Sequence, residues 1–258
     1  MRTIILAGGL GTRLSEETMS VPKPMVTIGG KPMLWHIMKI YSHYGFDDFT
    51  LALGYRADVI KEYVLNLRML STSFEIDLKT QELNPLDHQS AENWKILALD
   101  TGDHTQTGGR IKQAMRHSGR EASMVTYGDG VGDVDISKLV DFHRSHGRLC
   151  TITAVRPPAR FGRVELLGSE VVRFGEKLQS EEGWINGGFM VLEPEVADYI
   201  QDDQVAFEGE PLGRLAEEGQ LMAYLHEGFW QPMDTLRERQ ELDSLWRSGN
   251  APWCVWKL

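Results

Sequence analysis

Short β-rich runs alternate with helical stretches along the first 155 residues of this 258-residue chain. Residues 4–7, 48–53 and 123–127 are compact apolar runs typical of buried strands, and apolar residues at helical spacing fill the intervals between them. A chain that alternates in this way builds a sheet covered by helices on both faces. The sequence therefore predicts an α/β fold with a Rossmann-like, doubly wound mixed sheet.

The pattern changes after residue 156. Three closely spaced strands are predicted at 163–167, 171–176 and 188–192, which favours a small antiparallel β insertion, and the chain then ends in helices, with 235–247 the clearest. No repeat or low-complexity linker separates the two parts. We therefore expect a single domain, 1–258.

Charge and cysteine content exclude several classes of protein. There are 27 Lys and Arg against 37 Asp and Glu, a formal net charge of -10, so a dedicated nucleic-acid binder is not expected. Local backbone N–H groups and a few cations can still hold a phosphorylated small molecule. The two cysteines show no metal spacing and fit a reducing compartment. No apolar run is long enough for a signal or a membrane span, so we expect a cytoplasmic protein with no membrane partner.

A glycine-rich loop follows the first predicted strand directly. Gly8, Gly9 and Gly11 let the backbone approach a ligand closely, and Arg13 adds a cation at the end of the loop. Leu14 stands where a dinucleotide fingerprint has its third glycine, and the loop lacks the Lys-Ser/Thr ending of a P-loop. The loop predicts phosphate binding, with a tight turn as the alternative.

Lys23 lies between Pro22 and Pro24. Two prolines restrict the backbone on either side to extended conformations, and so restrict where the lysine side chain can point. Beside a glycine-rich loop, a positioned phosphate ligand is favoured over a solvated lysine.

Two aspartates are candidate metal ligands. Asp129 follows a buried strand between Gly128 and Gly130, at the strand end where open α/β sheets bind ligands. Asp234 follows Pro232 by two residues. Mg²⁺ prefers one or two carboxylates together with phosphate and water. The alternatives are a turn or a helix N-cap at Asp129, and an N-cap at Asp234.

Weaker signals are the glycine pairs at 108–109 and 187–188. The second pair, beside Asn186 and downstream of Glu176 and Lys177, suits sugar hydroxyls and phosphate, or else a hairpin turn. The eight histidines show no nucleophile motif, so covalent catalysis is not predicted, and His36 is interpreted as a packing residue.

Together these motifs resemble the sugar-1-phosphate nucleotidylyltransferases, whose nucleotide-diphospho-sugar transferase fold is thereby implied. Within that family the resemblance is to the bacterial enzymes that transfer a cytidylyl group to glucose 1-phosphate. It extends from the first strand to the C-terminal tail and is carried by residues 6–14, 14–18, 22–25, 35–39, 107–110, 128–130, 185–188 and 228–235.

The resemblance implies that CTP and α-D-glucose 1-phosphate react to give CDP-glucose and pyrophosphate, with Mg²⁺ as cofactor. It implies a nucleotide-binding half, 1–155, and a sugar-phosphate half with an oligomerisation tail, 156–258, in a homo-oligomer (trimer or hexamer). The implied catalytic residues are Arg13, Lys23 and Asp129, and the implied metal ligands are Asp129 and Asp234. The implied nucleotide contacts are Leu6, Ala7, Gly8, Gly9, Leu10, Gly11, Thr12, Arg13, Lys23, Thr105, Arg110 and Gly128, and the implied sugar-phosphate contacts are Glu176, Lys177, Asn186 and Gly187.

This sequence departs from the family pattern at three places. Val21 replaces a common second lysine, Leu178 replaces the proline usual after Glu-Lys, and residues 66–93 match poorly. Thymidylyl or uridylyl transfer to a related sugar 1-phosphate shares the same motifs and stays open. A nucleotide-sensing relative without catalysis is disfavoured because the lysine and both aspartates are present.

Overall fold

The computed structural model describes residues 1–9, 21–70, 72–86, 92–157, 162–167, 170–176 and 183–256. The side chains of residues 68, 70, 85, 162–167 and 170–176 are not described. The strands are β1 (Arg2–Ala7), β2 (Thr27–Ile28), β3 (Lys31–Pro32), β4 (Asp48–Leu53), β5 (Phe74–Asp77), β6 (Glu82–Pro85), β7 (Lys95–Asp100), β8 (Ser123–Tyr127), β9 (Gly130–Gly132), β10 (Cys150–Val155), β11 (Gly162–Leu167), β12 (Glu170–Glu176), β13 (Ile185–Asn186), β14 (Met190–Leu192), β15 (Leu221–His226) and β16 (Trp230–Pro232).

The helices are α1 (Met33–His43), α2 (Ala57–Leu70), α3 (Thr107–Met115), α4 (Ile136–His146), α5 (Glu210–Glu217) and α6 (Leu236–Arg247), with 3₁₀ helices at Lys23–Met25 and Pro194–Tyr199. α1 begins directly after Pro32 and is followed by Gly45, whose φ of 83° only glycine adopts without strain. Among the described residues, no helix has the length and apolarity needed to cross a bilayer.

Eight of the described strands form one mixed sheet. The parallel strands β8, β1, β4 and β7 lie side by side, and β14 pairs antiparallel with β8. β10 lies beyond β14, with β15 on its other side. This arrangement confirms the predicted mixed α/β sheet flanked by helices.

The core lies on both faces of β1, because successive side chains of a strand point to opposite faces. Ile5 belongs to one buried cluster with Ile37 of α1, and Ile4 belongs to the other with Ile111 of α3. Helices therefore cover the sheet from both sides, and its C-terminal edge stays accessible.

The structure changes two details of the predicted organisation. β11 and β12 form the expected antiparallel hairpin, but β14 does not join them and lies in the main sheet beside β8. The backbone is extended at Pro22, as predicted. At Lys23 the prediction of an extended backbone is wrong, because Lys23–Met25 is a 3₁₀ turn. The tight i to i+3 turn places Met25 N–H on the Pro22 carbonyl at 2.7 Å.

The C-terminal tail packs inside its own chain. Trp253 is fully buried, Trp256 is nearly so, and both rings lie against the ring of His36. The His36 imidazole contacts the Ile28 carbonyl oxygen through Nε2 at 2.9 Å, and its Nδ1 accepts a hydrogen bond from the Trp253 indole at 3.3 Å. His36 is thus a packing residue, as predicted.

Candidate functional site

A cavity of about 680 Å³ opens at the C-terminal edge of the sheet. The ends of β1 and β8 form its floor, since Leu6 pairs with Tyr127 across the two parallel strands. α3 begins at its other side. The lining residues are Leu6, Gly8, Gly9, Lys23, Pro24, Asp103, His104, Thr105, Gln106, Thr107, Arg110, Tyr127, Gly128, Asp129 and Gln204.

Lys23 joins the two predicted metal ligands. Its ammonium Nζ lies 2.7 Å from Oδ2 of Asp129 and 2.6 Å from Oδ1 of Asp234, and the lysine is only 7% exposed. The Asp234 side chain is largely buried, whereas that of Asp129 is more open to the cavity. One cation thus pairs with two carboxylates that are distant in sequence, which offsets the cost of burying its charge.

A two-stranded ribbon brings the two aspartates together. β9, directly after Asp129, pairs antiparallel with β16, and Pro232 lies opposite Gly130. The Met233 N–H donates to the Asp129 carbonyl oxygen at 2.8 Å and extends the pairing by one residue. The antiparallel pairing therefore brings Asp129, just before β9, next to Asp234, just after β16.

Asp234 does not cap α6. Thr235 is the N-cap: its side chain accepts from the Glu238 backbone N–H at 3.2 Å, and the Glu238 carboxylate accepts from the Thr235 N–H at 2.9 Å. This reciprocal capping box fixes the start of the helix. The Asp234 carboxylate therefore remains available to Lys23, and the N-cap alternative is wrong.

Gly128 allows a close approach of three segments. A Cβ atom at this position would lie 2.8 Å from the Leu6 carbonyl oxygen and 2.9 Å from Pro24 Cγ. Any larger residue would push β8 away from β1 or from the Lys23 turn. Glycine at this point therefore holds Lys23 and Asp129 within contact distance.

Arg110 lies beneath the glycine-rich loop. It is 4% exposed, and its guanidinium donates to the carbonyl oxygens of Gly8 at 3.0 Å and Leu53 at 2.8 Å, and to the Thr101 hydroxyl at 2.6 Å. Burial lowers the pKa of Arg110, and the nearby charge of Asp103 opposes that effect. This arginine therefore supports the backbone ends of β1 and β4 from inside.

Not all of the other predicted nucleotide contacts line the cavity. Thr105 lines the cavity, with its hydroxyl donating to the Thr101 carbonyl oxygen at 2.5 Å. Ala7 is buried at the end of β1. Leu10, Gly11, Thr12 and Arg13 lie outside the described residues.

Of the predicted sugar-phosphate residues, Asn186 contacts the lining of the cavity through Tyr127. Asn186 donates to the Tyr127 hydroxyl oxygen at 3.3 Å, and the Gly187 carbonyl oxygen accepts from the Trp230 indole at 2.8 Å. For Glu176 only the backbone is described, at the end of β12, and Lys177 lies outside the described residues.

Several residues of this edge have no role predicted from the sequence. Tyr127, Thr107 and Gln204 line the cavity, and Glu208 and Trp230 bond to residues at its rim. Tyr127 precedes the Gly-Asp-Gly segment directly, so its position was an available signal. Glu208 and Trp230 reach the rim only through tertiary packing.

Comparison with known proteins agrees with this arrangement. Residues 2–238 match the family model described as nucleotidyl transferase. The glucose-1-phosphate cytidylyltransferase of Salmonella typhimurium (strain LT2) is 50% identical over 260 residues, which cover all of both chains. The mannose-1-phosphate guanyltransferase of Saccharomyces cerevisiae is 31% identical over 249 residues, covering 92% of this chain and 63% of the yeast protein.

A solved structure shows the same fold. HddC from Yersinia pseudotuberculosis superposes with a TM-score of 0.70 at 24% identity, over 95% of this chain and 99% of that one. The family match spans both strands that form the cavity floor and both aspartates that bind Lys23. The chain therefore belongs to the nucleotidyl transferase family and is a nucleotidyltransferase.

Proposed function

We infer that this chain transfers the cytidylyl group of CTP to α-D-glucose 1-phosphate and releases CDP-glucose and pyrophosphate. The observation that carries the inference is the 50% identity, over the full length of both chains, to the Salmonella glucose-1-phosphate cytidylyltransferase. The cavity with Lys23, Asp129 and Asp234 at its edge supplies groups suited to that reaction.

The reaction is a displacement at the α-phosphorus of the nucleotide. A phosphate oxygen of the sugar 1-phosphate forms a bond to that phosphorus, and the bond to the β-phosphate oxygen breaks, with its electron pair leaving on pyrophosphate. No bond to the protein is needed, so catalysis consists of positioning and charge stabilisation. Lys23 is assigned to the reacting phosphates because it is a buried cation that lines the cavity beside Asp129. Arg13 is assigned to the leaving pyrophosphate.

We assign Asp129 and Asp234 to a Mg²⁺ ion. Two carboxylates that meet at one cation, beside a cavity large enough for phosphates, match the donor set that Mg²⁺ prefers. Within the described part of the chain, no group of three or more His, Cys, Asp or Glu side chains is arranged for a metal ion, so the remaining ligands would come from phosphate and water. When bound, Mg²⁺ neutralises phosphate charge.

The nucleotide is assigned to the β1 end and the start of α3. The backbone at Leu6–Gly9 and at Gly128, with residues 10–13, is proposed to hold the base and phosphates, and Thr105 lines the same side. Arg110 takes part by fixing the Gly8 carbonyl. Asn186 and Gly187, together with Glu176 and Lys177, are proposed to hold the sugar phosphate.

The division into a nucleotide half, 1–155, and a sugar half, 156–258, stays a prediction, as do the homo-oligomer and the cytoplasmic location. Because Trp253 and Trp256 are buried against their own chain, an oligomer contact through the tail would have to use other atoms of that segment.

The test is pyrophosphate release with glucose 1-phosphate and each nucleoside triphosphate in turn. We expect CTP to be used with the highest kcat/KM. Turnover with TTP or UTP and none with CTP would favour the thymidylyl or uridylyl alternative, and no turnover with any of them would favour the nucleotide-sensing one.

A further inference from the structure

A carboxylate beside the cavity accepts two hydroxyl hydrogen bonds. Glu208 lies between the 3₁₀ helix Pro194–Tyr199 and α5. The Tyr127 hydroxyl donates to its Oε1 and the Thr107 hydroxyl donates to its Oε2, each at 2.5 Å. Tyr127 ends β8, Thr107 begins α3, and both line the cavity, whereas Glu208 is exposed and is not among the lining residues. Glu208 can therefore act on a ligand through the two residues that it holds.

The hydrogen bonds continue from Tyr127 to the sugar side. A tyrosine phenol, whose ordinary pKa is about 10, carries one proton at neutral pH. That single proton is donated to Glu208, which leaves the phenol oxygen as an acceptor. The Asn186 Nδ2 group donates to this oxygen at 3.3 Å.

The orientation of the Asn186 amide is fixed from its other end. Its Oδ1 accepts from the Gly188 backbone N–H at 3.0 Å, so its Nδ2 must face Tyr127. The result is a chain of hydrogen bonds that runs in one direction from Gly188 through Asn186 and Tyr127 to Glu208. A chain that ends on a carboxylate is stronger than one between neutral groups.

The Thr107 hydroxyl, like that of Tyr127, donates to Glu208 and accepts a hydrogen bond from another residue. Its oxygen accepts from the Phe207 backbone N–H at 2.9 Å while its hydroxyl proton goes to Glu208. Glu208 thus joins three elements at the rim of the cavity: the end of β8, the start of α3 and the loop before α5. Loss of one carboxylate oxygen would leave one of the two hydroxyls without its acceptor.

We propose that Glu208 is a positioning residue for the sugar 1-phosphate, because it orients the Tyr127 hydroxyl and so gives the Asn186 amide, which Gly188 already holds at its oxygen, a second fixed contact at the sugar end of the cavity. The proposal rests on the proposed function, in which Asn186 and Gly187 contact the sugar phosphate. It predicts that Glu208 affects binding of the sugar 1-phosphate more than binding of the nucleotide, because Thr107, at the start of α3, keeps its hydrogen bond from the Phe207 N–H when Glu208 is changed.

The test compares Glu208→Gln, Tyr127→Phe and the double variant in steady-state assays with both substrates varied. Each single variant should raise the KM for glucose 1-phosphate by about tenfold, and the KM for CTP and kcat should stay within about twofold. The double variant should lose little more than the worse single variant, because both changes break the same chain.

A second tyrosine–glutamate pair in the molecule provides a matched control. The Tyr199 hydroxyl donates to Oε2 of Glu218 at 2.5 Å, away from the cavity lining. Tyr199→Phe and Glu218→Gln remove the same kind of hydrogen bond and should change neither KM.

A Glu208→Gln enzyme whose KM for glucose 1-phosphate stays within twofold of wild type would overturn the proposal, as would an equal rise in both KM values. If Glu208→Gln does not fold, Tyr127→Phe gives the same readout. A wild-type enzyme that fails to turn over CTP and glucose 1-phosphate contradicts the proposed function itself, whereas an active wild type with an unaffected variant contradicts only the role of Glu208.

Discussion

The Lys23 ammonium lies 2.6 Å from a carboxylate oxygen of Asp234, although the two residues are 211 positions apart in the chain. The same ammonium lies 2.7 Å from Asp129. One lysine therefore offsets the repulsion between two carboxylates, and its removal should change both catalysis and the response to metal.

Lys23→Gln should lower kcat/KM by at least about 100-fold, because a cation next to the reacting phosphates is lost. The variant should also gain more thermal stability from Mg²⁺ alone than the wild type does, since both carboxylates then lose the Lys23 ammonium. Thermal unfolding with and without MgCl₂ measures this difference.

Lys61→Gln serves as the control, because Lys61 pairs with Asp100 at 3.0 Å and both side chains are well exposed. Its response to Mg²⁺ should equal that of the wild type. An equal response in Lys23→Gln and the wild type would contradict the assignment of the two carboxylates to a metal.

Arg110→Lys should raise the KM for CTP about tenfold and lower the free energy of unfolding by about 2 kcal/mol. Lysine keeps the charge but cannot donate at once to Gly8, Leu53 and Thr101 as the guanidinium does. Kinetics and urea unfolding measure the two effects. Arg116→Lys, on an exposed residue just after the same helix, should change neither. A rise in KM with unchanged stability would instead indicate direct contact with the nucleotide.

Trp230→Phe should raise the KM for glucose 1-phosphate several-fold, because the ring is retained but the hydrogen bond to the Gly187 carbonyl is lost. Substrate-saturation kinetics measure this. The matched control is Trp94→Phe, since the buried Trp94 N–H has no hydrogen-bond partner among the described residues. Equal effects of the two substitutions would show that the Trp230 hydrogen bond does not position Gly187 for the sugar phosphate.

Unfolding stability should fall as the pH falls from about 6.5 towards 4. Burial lowers the pKa of His36 from its ordinary 6.5 to about 4. Between these values the unfolded chain binds a proton that the folded chain does not, so this histidine contributes a loss of about 1.4 kcal/mol per pH unit in that window. Above pH 6.5 both states are neutral at this position and no loss occurs.

Free energies of unfolding in urea at pH 7.5 and pH 5 measure the slope. His36→Gln should be less stable than the wild type at pH 7.5 and should lose less stability on acidification. His117→Gln, on an exposed histidine, should keep the wild-type slope. A His36→Gln slope equal to that of the wild type would show that acid sensitivity arises elsewhere.

Strands of the central sheet could be predicted because each one is specified by residues that are adjacent in the sequence. Residues 48–53, 123–127 and 150–155 are short apolar runs bounded by polar residues, and the structure has strands with those bounds. The sheet position of β14 could not be predicted in this way, because an apolar run next to a hairpin does not specify which neighbour it pairs with.

For the site, the sequence provided residue types and the fold provided their partners. Lys23 and Asp129 stand out through their flanking prolines and glycines, but only the β9–β16 ribbon places Asp234 beside them. Arg110 lines the cavity, and its additional place beneath the glycine-rich loop could not be predicted, because burial among backbone carbonyls leaves no sequence pattern. Glu208 has no local motif at all, and its role depends on two hydroxyls from distant elements.

The most direct test of the reaction follows the phosphorus atoms of CTP. With glucose 1-phosphate and CTP labelled at the α-phosphorus, we expect all of the transferred label in CDP-glucose. With CTP labelled at the γ-phosphorus, we expect the label only in pyrophosphate. Label from the α-phosphorus in free CMP without any nucleotide sugar, or γ-label transferred to the sugar, would contradict cytidylyl transfer by this chain.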